Sequence, residues 1–271
     1  MSNRSQITVI MSEYNTDRKL LERSIKSIVE QTYRDFIFII IDDCSKNDVN
    51  KIVSKYKDDR IKVYRNTQNM GLVYSLNKAL QLSDTKYIAR MDTDDYAKPE
   101  RLKTQFEFIE KHKDIDILGA NIQYSDNNNI WGNTNLTGEI TRNDLLKGCP
   151  IMHPTVLGKR ESILKCGGYP DFKRCEDYAL WITMYSMGYK LYNLPEILLE
   201  YKLTKNDFAK RSYANNYDLR RMLKTHYKSK LHVSKLEFIK YYSKTVLYSL
   251  LPQKVIYEIS RKRKGQKTDN E

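Results

Sequence analysis

Short apolar runs alternate with longer stretches whose apolar residues recur every three or four positions up to about residue 110, a rhythm that predicts βαβ units on a parallel sheet. Ile7–Met11 reads as the first strand. From Arg18 to Gln31, Leu20, Leu21, Ile25, Ile28 and Val29 fall at helical spacing. Phe36–Ile41 is apolar without a break, as expected of a strand covered on both faces. A weaker helix around Lys46–Tyr56, a strand at Ile61–Tyr64 and a helix over Leu72–Leu82 lead to the strand that opens at Tyr87. A helix of roughly Pro99–His112 follows, after which the alternation weakens.

Beyond that point the polar positions carry more of the signal. Residues 125–138 are rich in Asn, Asp and Gly and read as a loop or loose hairpin. Met152-His153-Pro154-Thr155, Gly167-Gly168-Tyr169 and Cys175-Glu176-Asp177 form a second polar block, and the last of these opens an amphipathic helix through Trp181. Strand-like segments over Tyr189–Lys202 close it. From about residue 205 the composition shifts to Lys, Tyr and Leu. Ser234-Lys235-Leu236-Glu237 is a capping box, and Phe238, Ile239, Tyr242, Val246, Leu247 and Leu250 then lie at helical intervals until Pro252. A second helix is expected from Pro252 to Arg261-Lys262-Arg263-Lys264.

Charge separates the tail from the rest. The net charge is +13, and residues 202–271 hold 18 Lys and Arg against 6 Asp and Glu, so +12 of it lies there and the preceding part is close to neutral. A nucleic-acid enzyme would more often be basic around its active site; no nucleic-acid partner is expected. A basic amphipathic tail on a neutral domain suits an anionic membrane surface, or packs its apolar face back on the domain. No run is apolar over a membrane-spanning length, and Met1–Gln6 leads into a strand without the apolar core of a signal peptide. The expected location is cytoplasmic, peripheral at the inner face of the cell membrane. Cys44, Cys149, Cys166 and Cys175 have no C-x-x-C spacing and are expected to be reduced thiols.

Three strands end in polar residues of functional type: Ser12-Glu13-Tyr14-Asn15, Asp42-Asp43 and Asp92-Thr93-Asp94-Asp95. In open α/β sheets ligands bind outside the carboxyl ends of the strands. Side chains recur on one face every second residue of an extended segment, so Asp92 and Asp94 would point the same way. Such a pair either holds a hard divalent cation that shares its other positions with substrate phosphates, or is a solvated turn.

In this order and spacing, Ile7–Asn15, Ser27–Tyr33, Ile41–Ser45, Asn69–Leu72, Asp92–Asp95, His153–Thr155, Gly168-Tyr169 and Glu176–Trp181 resemble the family 2 glycosyltransferases of bacterial polysaccharide biosynthesis. The resemblance implies an α/β fold of GT-A type: a Rossmann-like, mostly parallel sheet with helices on both faces, followed here by a C-terminal helical tail. It covers about residues 6–205 and divides the chain into a catalytic domain, 1–205, with a donor half to about 112 and an acceptor half over 113–205, and a basic tail, 206–271.

The implied activity is inverting, metal-dependent transfer of a hexosyl or N-acetylhexosaminyl group from a nucleotide sugar to a hydroxyl of a lipid-linked saccharide acceptor, in capsule, O-antigen or similar synthesis. By the family pattern Tyr14 stacks on the nucleobase and Asp43 accepts from uracil, which favours a UDP-sugar; core packing and helix N-capping are their structural alternatives. Asp94 is the direct ligand of Mn²⁺ or Mg²⁺, with Asp92 near the ribose or the metal and His153 completing the shell, contacting phosphate or serving structure alone. Asp95 caps a turn, and Arg90 pairs with the acids or contacts the donor sugar. Asp177 is the general base, held ionised by the helix dipole, and Glu176 binds acceptor hydroxyls or orients the loop; ordinary N-terminal helix acids are the structural alternative for the pair. Trp181 belongs to the core or walls the acceptor site. Ser12-Glu13 replaces a frequent Pro-containing turn, and Cys44 a frequent Gly. A non-catalytic nucleotide-sugar or polysaccharide-binding module on the same fold is the alternative function.

Overall fold

The computed structural model describes residues 5–126, 129–204 and 217–250, together with positions 255, 258 and 259. The expected alternation is present: β1 (Ile7–Glu13), α1 (Arg18–Val29), β2 (Phe36–Asp42), α2 (Val49–Val53), β3 (Ile61–Arg65), α3 (Leu72–Leu82) and β4 (Tyr87–Arg90) succeed one another. β5 (Tyr96–Ala97), α4 (Arg101–Lys111), β6 (Ile115–Asp126), β7 (Asn129–Asn133), β8 (Gly138–Glu139) and α5 (Arg142–Lys147) follow. A 3₁₀ turn at His153–Thr155 leads into β9 (Leu157–Lys159), α6 (Arg160–Lys165), α7 (Glu176–Ser186) and β10 (Lys190–Lys202).

Among the described residues these strands form one mixed sheet, ordered β3-β2-β1-β4-β9-β6-β10-β5, with β7 on β6 and β8 on β10. β1 pairs in parallel with β2 and β4, β2 with β3, and β6 with β10. β9 runs antiparallel between β4 and β6 and so restores their common direction. The carboxyl ends of β1, β2, β4, β6 and β10 therefore share one edge. Of the loop or loose hairpin expected over 125–138, the hairpin is present, as β6–β7, followed by the short β8.

Alternation along the strands feeds two cores, one on each face. Ile7, Val9 and Met11 of β1 and Phe36, Phe38 and Ile40 of β2 meet Leu21, Ile25 and Ile28 of α1 and Leu102 and Ile109 of α4. Ile10, Ile39 and Ile41 point the other way, against Leu76 and Leu80 of α3 and the body of α7. That helix is not amphipathic as its sequence suggested. Glu176, Tyr178 through Ile182 and Met184 are all buried, because α7 lies under α5, α6 and the tail. Trp181 is fully buried and belongs to the core.

Among the described residues of the tail, a helix over Tyr217–Met222 continues through a π-helical turn, Leu223–Tyr227, into Lys228–Lys230. Met222, Leu223, Tyr227 and Leu231 are buried in the second core. The last helix, Lys235–Leu250, starts with the expected capping box: the Ser234 amide donates to Glu237 Oε2 at 2.9 Å and the Glu237 amide to Ser234 Oγ at 3.2 Å. The helix expected beyond Pro252 lies almost wholly outside the described residues. No described helix is long and apolar enough to cross a membrane.

Candidate active site

Parallel pairing brings the functional strand ends together. Glu13 closes β1 opposite Asp42 of β2, and Ile10 of β1 pairs with Arg90 at the end of β4. Tyr14, next along, is 50% exposed, so the core-packing alternative for it is excluded. Its ring stands free at the sheet edge.

Asp43 is buried and fastens a loop. Its Oδ1 accepts from Asn66 Nδ2 at 2.7 Å and the Met70 amide at 2.8 Å, and its Oδ2 from the Gly71 amide at 2.8 Å. Gly71 is the N-cap of α3, so Asp43 serves that helix start from another strand. One acceptor position on Oδ2 is left for a ligand. Cys44 adopts φ +61°, a left-handed conformation that Gly takes without strain, which explains the frequent Gly at this place. Asp42 pairs with Arg65 and accepts from the Ser45 amide at 2.8 Å.

Glu13, read only as a departure from a common pattern, is fully buried at the centre of these loops. Its Oε1 accepts from Asn47 Nδ2 at 2.7 Å, Ser45 Oγ at 2.9 Å and the Thr16 amide at 3.1 Å. It takes over the rigidity that a proline would supply.

The acidic motif is not an extended strand. β4 stops at Arg90, and Asp92 and Asp94 lie half-buried in the irregular segment that follows. Ser24 Oγ donates to the Asp92 carbonyl at 2.6 Å, and the Thr16 and Thr93 hydroxyls bond at 2.7 Å, joining this segment to the base side of the site. Asp95 is not a turn cap. It is buried and accepts from the Lys202 amide of β10 at 3.0 Å. Burial, with the Asp92 and Asp94 charges added, pushes its carboxyl well above the ordinary range.

Arg90 joins the two halves of the site. It is only 3% exposed and forms an ion pair with Asp92. Its Nε has no hydrogen-bond partner. On its other side its charge acts on Tyr169, Glu176, Asp177 and His153. Gly168 brings Tyr169 there: at φ +76° it passes against Asn77, whose side chain would collide with any Cβ and which holds Tyr169 through two backbone bonds of 2.9 Å.

Glu176 and Asp177 stand in the first turn of α7, as expected. Burial opposes the helix dipole more strongly than foreseen. It raises Asp177, and together with the Asp177 charge it pushes Glu176 up to about 7. Asp177 Oδ1 accepts from the Tyr178 amide at 2.7 Å, and Cys149 Sγ lies 3.7 Å from Oδ2. Glu176 Oε2 is buried without a partner, and its Oε1 lies 3.8 Å from His153 Nδ1.

The structure does not bring His153 into a metal shell with Asp92 and Asp94. Among the described residues no three His, Cys, Asp or Glu side chains are grouped to hold an ion. His153 is instead buried, bonded through Nε2 to Tyr169 Oη at 3.0 Å, and held neutral by burial and the nearby Arg90 charge. Asp92 and Asp94 still fit a hard cation that takes most of its ligands from phosphate and water. Asp95 beside them is held well above the ordinary carboxylate range by burial first and by the Asp92 and Asp94 charges second, and a cation would offset those charges.

The raised Glu176 sets a pH dependence of stability. Its folded value lies above the ordinary 4.5, so the neutral form is favoured on folding and stability falls as pH rises from about 4.5 through about 7. Glu176→Gln is therefore expected to be more stable than the parent near pH 8 by about 3 kcal/mol, with the difference closing around pH 5. Urea denaturation at both pH values measures it.

The sheet edge and its acidic loops define a candidate site at the carboxyl ends of the strands of a mixed α/β sheet. Residues 8–168 match Glycosyl transferase family 2. Over 236 residues the chain is 34% identical to O-antigen biosynthesis glycosyltransferase WbnJ of Escherichia coli, spanning 80% of this chain and 89% of that one. The chain belongs to glycosyltransferase family 2, and it is an enzyme of that class. Solved structures agree in fold: S. aureus TarS in complex with UDP-GlcNAc superimposes with a TM-score of 0.71 at 19% identity, covering 90% of this chain and 72% of that one. The mannosyltransferase PcManGT of Pyrobaculum calidifontis, in complex with GDP-Man and Mn²⁺, gives 0.64 at 16% identity over 95% and 79%.

Proposed function

We propose that the enzyme moves one sugar from a nucleotide sugar, a UDP-sugar in the first instance, to a hydroxyl of a lipid-linked saccharide, with inversion at the anomeric carbon. The observation that carries this reading is the placement of buried Arg90 between two acid groups, Asp92 with the diphosphate side and Glu176-Asp177 with the acceptor side. One acid group suits a cation and a leaving diphosphate, the other a proton acceptor.

In this account the exposed Tyr14 ring stacks on the base, and the spare Oδ2 acceptor of Asp43 takes the uracil N–H. Asp94, with Asp92, would hold Mn²⁺ or Mg²⁺. Bound there, the ion would neutralise charge on the departing nucleoside diphosphate. Asp177 removes the acceptor hydroxyl proton as the oxygen bonds to the anomeric carbon, and the carbon–phosphate-oxygen bond breaks with its electron pair leaving on the diphosphate. Burial raises the basicity of Asp177 toward the operating pH, which suits a general base. Glu176, with its unpartnered Oε2, binds acceptor hydroxyls.

The relative named for O-antigen biosynthesis supports a role in capsule, O-antigen or similar cell-surface polysaccharide. Residues 1–205 are then the catalytic domain, and the basic tail, 206–271, holds the enzyme at the inner face of the membrane. A panel of UDP-, GDP-, dTDP- and CDP-sugars, scored for hydrolysis with Mn²⁺, Mg²⁺ and EDTA, tests the donor claim. Metal-dependent turnover of a UDP-sugar is expected. Turnover of GDP-sugars only would reassign the base, and donor binding without turnover for any acceptor would leave a binding module.

A further inference from the structure

The last helix carries apolar residues on two opposite sides, and only one side is covered. Phe238, Tyr241 and Tyr242 pack against the second core. Lys228 and Lys224 set their ammonium groups over the Phe238 and Tyr242 rings, 5.5 Å from each centroid. Arg142 of α5 clamps the helix start, reaching Glu237 at 2.9 and 3.2 Å and the Leu231 carbonyl at 2.9 Å. On the other side Leu236 is 81%, Ile239 60% and Leu247 61% exposed.

At about 100° per residue, Ile239, Ser243, Leu236 and Leu247 fall within an arc of roughly 80°, and Lys235 and Lys240 border it on either side. An apolar strip between two lysines has the form of an interfacial helix face. From this we infer that the Leu236–Ile239–Leu247 face inserts into the headgroup region of an anionic phospholipid bilayer. The inference rests on the membrane placement proposed above and assigns the surface responsible.

Charge selects the lipid over a second copy of the chain. Residues 202–271 carry +12, so two such faces brought together would set their lysines against each other, whereas an anionic leaflet attracts them. The docking face is also rigidly linked to the acceptor side of the site. Ahead of it, Tyr227 Oη bonds Tyr178 Oη at 2.8 Å and the Leu146 carbonyl at 3.1 Å, and Tyr178 follows Asp177 directly. A bilayer touching this helix would hold Asp177 in a fixed orientation to a lipid-linked acceptor.

The test is flotation of the full chain with vesicles of phosphatidylcholine and phosphatidylglycerol, 3:1, against pure phosphatidylcholine, at low salt. The parent should bind the anionic vesicles and release at high ionic strength. The triple variant L236S/I239S/L247S should bind on the order of ten-fold more weakly or less. Because those side chains are exposed, its melting temperature and its donor hydrolysis without membranes should match the parent. Loss of hydrolysis in the parent would count against the proposed activity and leave the vesicle result standing. As a second variant, Ile239→Trp should gain fluorescence quenched by brominated phospholipid beyond that of the parent. Equal vesicle binding by the triple variant, no binding by the parent, or an Ile239→Trp signal insensitive to brominated lipid would overturn the inference. So would a parent dimer in sedimentation velocity that the triple variant abolishes without any effect on vesicle binding.

Discussion

Asp177→Asn should bind donor as the parent does and lose transfer by a factor on the order of 10²–10⁴, the range for removal of a general base. Asn keeps the shape and can still accept the Tyr178 amide through its carbonyl oxygen, so the fold should persist. The Asp177 side chain is half-buried at the start of α7, beside Cys149 and within the field of Arg90. Asp144 and Glu161 also open helices in this half, but the first is tied into its own capping box with Thr141 and the second pairs with Lys165. Glu176 is its neighbour but is more deeply buried, and its Oε1 faces His153 at 3.8 Å. Isothermal calorimetry with donor, beside a turnover assay, separates the two effects. Unchanged turnover would remove Asp177 from the chemistry.

Arg90→Met should produce the second large effect, on stability and pH profile together. The guanidinium is buried and offsets Asp92 on one side and the Glu176-Asp177 pair on the other. Deleting one partner of a buried pair costs about 3 kcal/mol here, toward the low end of the usual range because Asp92 retains some contact with water. The sign of the activity change follows from the same contacts. Arg90 lowers the Asp177 value, so without it the base ionises at higher pH and the acid limb of kcat moves alkaline. Arg90→Lys restores the charge and should return the limb toward its parental position even if stability stays reduced. A thermal melt and a pH–rate profile of the three proteins check both parts. A Met variant with an unmoved acid limb would show that Arg90 serves packing alone.

The donor half was readable because its strands are continuous apolar runs. Phe36–Ile41 could be nothing else than a two-sided strand, and it is one. In the acceptor half β10 was readable over Tyr189–Lys202, but β6 and β9 were hidden for a physical reason. β6 carries Asp116 and Asn121 inside the protein, where Asp116 accepts from Ser162 Oγ, Lys159 Nζ and the Lys190 amide, and Asn121 bonds the backbone of Leu136 and Pro195. Buried polar residues of that kind erase the periodicity that marks a strand. β9 is three residues long, and the antiparallel insertion it makes between β4 and β6 is a matter of long-range pairing alone.

The site was legible as residue types in order, less so as roles. Asp92, Asp94 and Asp177 stand where the motif placed them, half-buried beside the sheet edge. Burial decided the rest. It turned Asp95 from a turn cap into a buried acid, set His153 in contact with Tyr169, the structural alternative for it, and raised Glu176 against the dipole. Arg90 could be foreseen as an ion pair with its near neighbour in sequence. Its reach toward Glu176, far along the chain, could not. In the tail, the apolar positions of the last helix were counted as one face, and the fold divides them into a packed side and an outward one.

The central claim is a single displacement from a nucleotide sugar with a protein carboxylate as base. Its most direct test is the anomeric configuration of the transferred sugar, read from the ¹H coupling at the anomeric carbon of product made from an α-linked UDP-sugar. The β configuration is the predicted result. A retained α linkage would contradict a single displacement assisted by Asp177.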